Sequence, residues 1–218
     1  MNCAGMNRIV SRRWIATLLA LALAGAGAGC ESPQPRRQHP PGTLQVRYES
    51  ASSYAGCLTA SVAMAANYVL GEYRYNDARL RHELAQAELD ETQPGDVKTY
   101  LESIGLHLVT LRGELDGNPP LGLRYWVLQR GYPAICVINA KGDDPDMNHA
   151  VVVIGFSKMQ DPQAADTFHA DTIYYLDPAN EQPLQEVTVD EFETMWARAG
   201  HAMMLVVRPP APSGRAAG

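Results

Sequence analysis

Helical patterning in the first half of the chain and strand-like runs in the second predict an α+β domain, with N-terminal helices packed on a mainly antiparallel sheet. Three observations carry this. In residues 52–70, SSYAGCLTASVAMAANYVL, a cysteine, Cys57, stands before an apolar run broken only by Thr59, Ser61, Asn67 and Tyr68, which describes a helix apolar on most sides and central to a domain. Two amphipathic helical segments follow it. From residue 133 onward, short apolar runs bounded by turn residues take over, and hairpin-like links between them favour antiparallel pairing.

The remaining elements follow in order. Residues 76–88 (NDARLRHELAQAE) space Leu80 and Leu84 four apart with Ala85 beside them, and Asn76 or Asp77 serves as N-cap of a second helix. Gly95-Asp96 opens a third, whose Val97, Tyr100, Leu101 and Ile104 share a face and whose stop is Gly105. Residues 106–111 alternate as a strand, and 121–130 read as a helix ended by Gly131. Strands are expected at 133–139, 149–156 and 172–176. Thr188-Val189-Asp190-Glu191 is a capping-box signature for a last helix through Trp196, and 201–207 gives a final strand.

Composition bounds what such a domain can do. The 218 residues are 46% hydrophobic and 19% charged, as in an ordinary globular protein with a sizeable core. The net charge of -6 understates the acidity of the body, because Arg8, Arg12 and Arg13 lie in the first thirty residues, where there is no acid. No clustered Lys and Arg remain to meet phosphates, so nucleic acid is excluded as a partner. Residues 1–30 read as an export signal: a basic start, an apolar run from Trp14 to Ala28, then Gly27-Ala28-Gly29-Cys30. The small-small-Cys ending resembles a bacterial lipobox with Gly27 in place of the usual Leu, which makes Cys30 the lipidation site. The expectation is a body on the periplasmic side of a bacterial cell envelope, touching membrane only through that anchor; a plain secretory signal is the alternative. Residues 31–42, rich in Pro and polar side chains, form a tether, the folded region runs over 43–208, and 209–218 are a low-complexity tail with the composition of disorder.

The chemistry begins at Cys57. A helix N-terminus stabilises negative charge and lowers a thiol pKa, which suits a nucleophile; the bland alternative is a small buried apolar residue. A thiolate mechanism also needs a base, itself oriented by a third group. Of six histidines, His39 falls in the tether, and His82, His107 and His169 fall on exposed-looking positions. His149 and His201 begin apolar strands. After His149 the chain returns through IYYLDPAN, where Asp177 ends a strand at the rim of the same sheet, whereas no acid follows His201. His149 and Asp177 make the better pair, although Asp-Pro is also common turn chemistry. Cys136, inside the apolar run AICVI, reads as core, but an oxidising compartment keeps a Cys57–Cys136 disulfide open as an alternative. Asp143, Asp144 and Asp146 read as a solvated hairpin loop without calcium-loop spacing. No HExxH, CxxC, Walker or GxGxxG pattern occurs, and neither a metal nor a cofactor is expected.

The segments CLTASVAM at Cys57, GYPAICVI at Gly131, NHAVVVIGF at Asn148 and YYLDP at Tyr174, in this order, resemble family 39 of the cysteine peptidases over residues 46–207. That resemblance implies a papain-like fold and a peptide or protein substrate. It makes Cys57 the nucleophile, His149 the general base and acid, and Asp177 the residue that orients the imidazole. Two positions depart from the family. Leu58 stands where Gly usually follows the cysteine, and no Gln lies between Gln45 and Cys57 to supply the usual side-chain oxyanion donor; Ser50, Ser52 and Ser53 are the candidates left. Loss of such a donor typically costs about 10²–10³ in rate. An exported peptidase is therefore expected, acyl transfer to an amine being open to the same groups. The alternative is a catalytically retired lipoprotein that binds a peptide or partner protein in its cleft.

Overall fold

The computed structural model of the protein describes residues 39–53, 56–117, 119–142, 144, 147–157 and 172–209. The expected export signal with Cys30, the tether up to residue 38, the tail from 210, and Asp143, Asp146 and His169 lie outside the described residues. In chain order the elements are α1 (Cys57–Leu70), α2 (Asp77–Gln86), α3 (Pro94–Ser103), β1 (His107–Arg112), a π-helical turn (Tyr125–Gln129), β2 (Ala134–Ile138), β3 (His149–Phe156), β4 (Thr172–Leu176), β5 (Leu184–Thr188), α4 (Val189–Arg198) and β6 (Ala202–Val207).

The six strands form one sheet in the order β1-β6-β2-β3-β4-β5, with every neighbouring pair antiparallel. Its centre is buried on both faces. In β3, Ala150, Val152 and Ile154 enter a core with α1, α2 and α3, while Val151, Val153 and Phe156 enter a second core with α4 and the π-helical turn. Strands covered on both sides read as continuous apolar runs instead of alternating ones, which is the pattern of 134–138 and 149–156. The result is the expected α+β architecture, helices packed on an antiparallel sheet.

The period of two along β2 also settles the cysteines. Cys136 is fully buried in the α4-side core, Cys57 packs at the edge of the α1-side core, and both are free thiols. The sheet stands between them, so the disulfide alternative is overturned.

α1 is buried from Leu58 to Asn67, including Thr59 and Ser61 at 0% exposure, and ends at Gly71 in the left-handed region (φ 72°). α2 starts from Asn76, whose side chain accepts from Arg79 N (2.7 Å), and α4 from Thr188, whose hydroxyl accepts from Glu191 N (3.2 Å), as the caps predict. Two expectations differ. The helix expected at 121–130 is largely a π-helical turn, because its start is tied back to the preceding loop by Glu114 N to Leu121 O and Leu123 N to Glu114 O, and it closes through Arg130 N to Tyr125 O (3.0 Å). β5 went unread in the sequence because LQEVT is a half-exposed edge strand with no apolar run to mark it.

Asn67 holds the turn between α1 and α2. Its Oδ1 accepts from Arg74 N and Tyr75 N (both 2.8 Å), and its Nδ2 donates to Tyr75 O (2.7 Å), all at 5% exposure. Asn67→Ala strands these backbone groups and is expected to cost about 2–3 kcal/mol in urea unfolding, with the slope against denaturant unchanged. A loss below about 0.5 kcal/mol would show that water satisfies them instead.

Candidate active site

The site is assembled where α1 meets β3. Gly56, the residue before α1, has no side chain to cap the helix, so the first backbone N–H groups stay available around Cys57 at the first helical position. One turn later the buried Ser61 hydroxyl donates to Ala150 O (3.1 Å), pinning α1 to β3 one residue after His149. His149 opens β3, and Asp177 follows β4, which runs antiparallel beside it with Val152 opposite Leu176. Cys57, His149 and Asp177, 92 and 28 residues apart in the chain, thereby come together.

The three side chains interact through His149. His149 Nε2 lies 2.6 Å from Asp177 Oδ1, with side-chain exposures of 14% and 18%, and the imidazole is also near enough to the Cys57 thiol for each to shift the other's titration. Nε2 on Asp177 leaves Nδ1 as the nitrogen for the thiol. Asp177 Oδ1 accepts from Ala179 N (2.9 Å) too, so the Asp-Pro turn and the imidazole share one carboxylate. Asp177 therefore makes both the turn contact and the contact to His149.

Burial is the largest influence on all three groups, and each time the partners outweigh it. Burial pushes the Cys57 thiol up, but the His149 hydrogen bond, the Ala150 N–H, the His149 charge and the Leu58 N–H bring it below an ordinary thiol. Burial pushes His149 down, yet the hydrogen bonds and charges of Asp177 and Cys57 raise it to about 9. Asp177 is held below the usual carboxylate range by His149 and Ala179 N–H against the same desolvation. A lowered thiol beside a raised imidazole favours thiolate with imidazolium, a state poised for nucleophilic attack.

The other candidates lie apart from this arrangement. His39 Nε2 bonds Val46 O (2.8 Å), so its ring packs on the folded body; His82 and His107 are exposed. His201 does find an upstream acid, Glu193 Oε1 at 2.7 Å, and stands edge-on to Trp196 on the α4 side of the sheet, away from Cys57. Ser52 is removed from the oxyanion candidates: its only hydroxyl proton goes to Asp77 Oδ2 (2.5 Å) while its oxygen accepts from Arg81 (2.7 Å). Ser50 and Ser53 are exposed. Between them Ala51 N donates to Pro178 O (2.8 Å), which binds this segment to the Asp177 turn. Among the described residues no group of three or more His, Cys, Asp or Glu is placed to hold a metal. Asp77 and Ser61 were not singled out as site residues in the sequence, although the polar Thr59 and Ser61 inside an apolar helix were a signal, since buried hydroxyls require partners.

A thiol at a helix N-terminus, paired across a sheet with a carboxylate-held imidazole in a papain-like fold, defines a cysteine-peptidase type of domain. Residues 43–204 match the Peptidase_C39-like family, and the chain belongs to it. Among solved structures it is similar to the peptidase domain of Streptococcus ComA, a bifunctional ABC transporter of a quorum-sensing pathway (15% identity over 75% of this chain and 99% of that one, TM-score 0.53). It is also similar to a C39-like peptidase from Bacillus anthracis (16%, 78% and 99%, TM-score 0.53), and to a double-glycine-motif protease of an AMS/PCAT transporter in complex with its leader peptide (17%, 78% and 96%, TM-score 0.51). At these identities the likeness is one of fold. No curated protein sequence matches the chain.

Asp177→Asn removes the carboxylate charge that helps hold His149 at about 9, and the imidazole pKa should fall toward the ordinary 6.5. Titration of the His149 ring by NMR reads this directly; an unchanged value would mean that Asp177 serves the turn alone.

Proposed function

We propose that the protein is an exported cysteine peptidase in which Cys57 attacks the carbonyl of a peptide bond. The observation that carries this is the set Cys57–His149–Asp177, with His149 hydrogen-bonded to Asp177, the thiol lowered and the imidazole raised. The thiolate sulfur forms a bond to the carbonyl carbon, the imidazolium gives its proton to the departing amine as the C–N bond breaks, and a thioester remains. His149, now neutral, takes a proton from water whose oxygen attacks the thioester, and the Cys57 thiolate is released. Asp177 keeps the imidazole in the orientation and tautomer both steps require. The oxyanion draws on the Cys57 backbone N–H at the start of α1. Without a Gln side chain beside it, turnover is expected to be slow.

The protein similar to this one that is bound to a leader peptide supports a peptide substrate. We assign residues 1–30 to export with lipid attachment at Cys30, which puts the peptidase on the periplasmic side of the envelope. A second reading, a domain that binds peptides without cleaving them, is favoured by one observation, the loss of Ser52 as a donor where no Gln is present.

Incubated with a mixture of unrelated peptides, the protein should generate new termini detectable by mass spectrometry. Cys57→Ala and His149→Ala should each reduce cleavage at least about 10³-fold. Hydroxylamine should divert part of the product to hydroxamate by intercepting the thioester, whereas peptide binding with no new termini would establish the second reading. Independently, radiolabelled palmitate should appear in the protein in a bacterial host and vanish in Cys30→Ser; equal label in both would overturn the lipid assignment.

A further inference from the structure

One buried carboxyl holds residues on both sides of Cys57. Asp77, 3% exposed, is the first residue of α2. Its Oδ2 accepts from Ser52 N (2.8 Å) and from Ser52 Oγ (2.5 Å), before the nucleophile; its Oδ1 accepts from Thr59 Oγ1 (2.5 Å), just after it. The Thr59 hydroxyl also lies 3.1 Å from Gly56 O, so Ser52 and the first turn of α1 converge on one group. Gly56 is part of the fit, because a Cβ there would stand 3.1 Å from both carboxyl oxygens. Arg81, anchored on Glu91 Oε2 (2.7 Å), closes the outer side by donating to Ser52 Oγ.

We infer that Asp77 is a positioning residue for the proposed reaction: it ties Ser52 and Thr59, on either side of Cys57, to one point so that the Cys57 backbone N–H is aimed at the developing oxyanion. This rests on the reading of Cys57 as nucleophile. The inference has weight because Ser52 is already committed and no Gln lies between Gln45 and Cys57, so the oxyanion depends on a backbone donor whose direction these contacts set. A displacement of about 1 Å remote from the chemistry can cost about 10² in rate. A purely structural Asp77 would stabilise the fold without favouring one reaction of Cys57 over another.

Two reactions of the same thiol separate these roles. Acylation by p-nitrophenyl acetate passes through a tetrahedral intermediate that needs an oxyanion donor; alkylation by iodoacetamide forms no oxyanion. In the full chain, Asp77→Ala should slow the nitrophenol burst about 10- to 100-fold while Cys57 alkylation changes less than about threefold. Thr59→Val, which keeps the shape and loses one of the bonds, should show a smaller split in the same direction and serves if Asp77→Ala does not fold. Rates that fall together, or neither falling, in a folded variant would overturn the positioning role. A wild-type protein with no burst at Cys57 would overturn the nucleophile reading and this inference with it.

Discussion

The electrostatic coupling between the Cys57 thiol and the His149 imidazole crosses the boundary between α1 and β3, and the rest of the domain can be understood as what makes that crossing reproducible. Neither residue is fully buried or fully exposed. The thiol must be dry enough for its charge to count and close enough to the imidazole to lose its proton to it. Such a balance tolerates little displacement. It is met by a helix buried along most of its length, a strand buried on both faces, and a single buried hydroxyl, Ser61, that locks one against the other.

Polar groups placed inside the apolar layers do the locating, while the apolar contacts supply stability without direction. Asn67 shapes the turn from α1 into α2, Asp77 at the start of α2 returns to the segment ahead of Cys57, and Asp177 binds both its own turn and His149. Each is engaged by backbone or side-chain partners. These groups therefore form a chain of fixed points around the thiol, from the α1–α2 turn to the rim of the sheet.

Much of this was legible in the sequence, for identifiable reasons. Strands covered on both faces leave continuous apolar runs, so β2, β3 and β6 could be located, and α1 was visible as a helix apolar nearly all round. Cys57, His149 and Asp177 were found because each stands at the start or end of an apolar element, where chemistry-bearing side chains are exposed at the rim. β5 and the π-helical turn were not legible: the one is a half-exposed edge whose pairing is set by β4, and the other depends on a loop bridge through Glu114 that no local pattern records. Asp77 was visible only as one of two possible helix caps. Its bonds to Ser52 and Thr59, 25 and 18 residues earlier, arise from tertiary packing that periodicity does not encode.

The central claim, that Cys57 is a thiolate held by His149, is tested most directly by the rate of iodoacetamide alkylation against pH, with mass spectrometry locating the label, in the wild-type protein and in His149→Ala. The account predicts Cys57 labelling that persists well below the pH at which an ordinary thiol ionises, near 8.5, and loss of that low-pH limb in the variant. An ordinary thiol profile in the wild type, unchanged by the substitution, would contradict it.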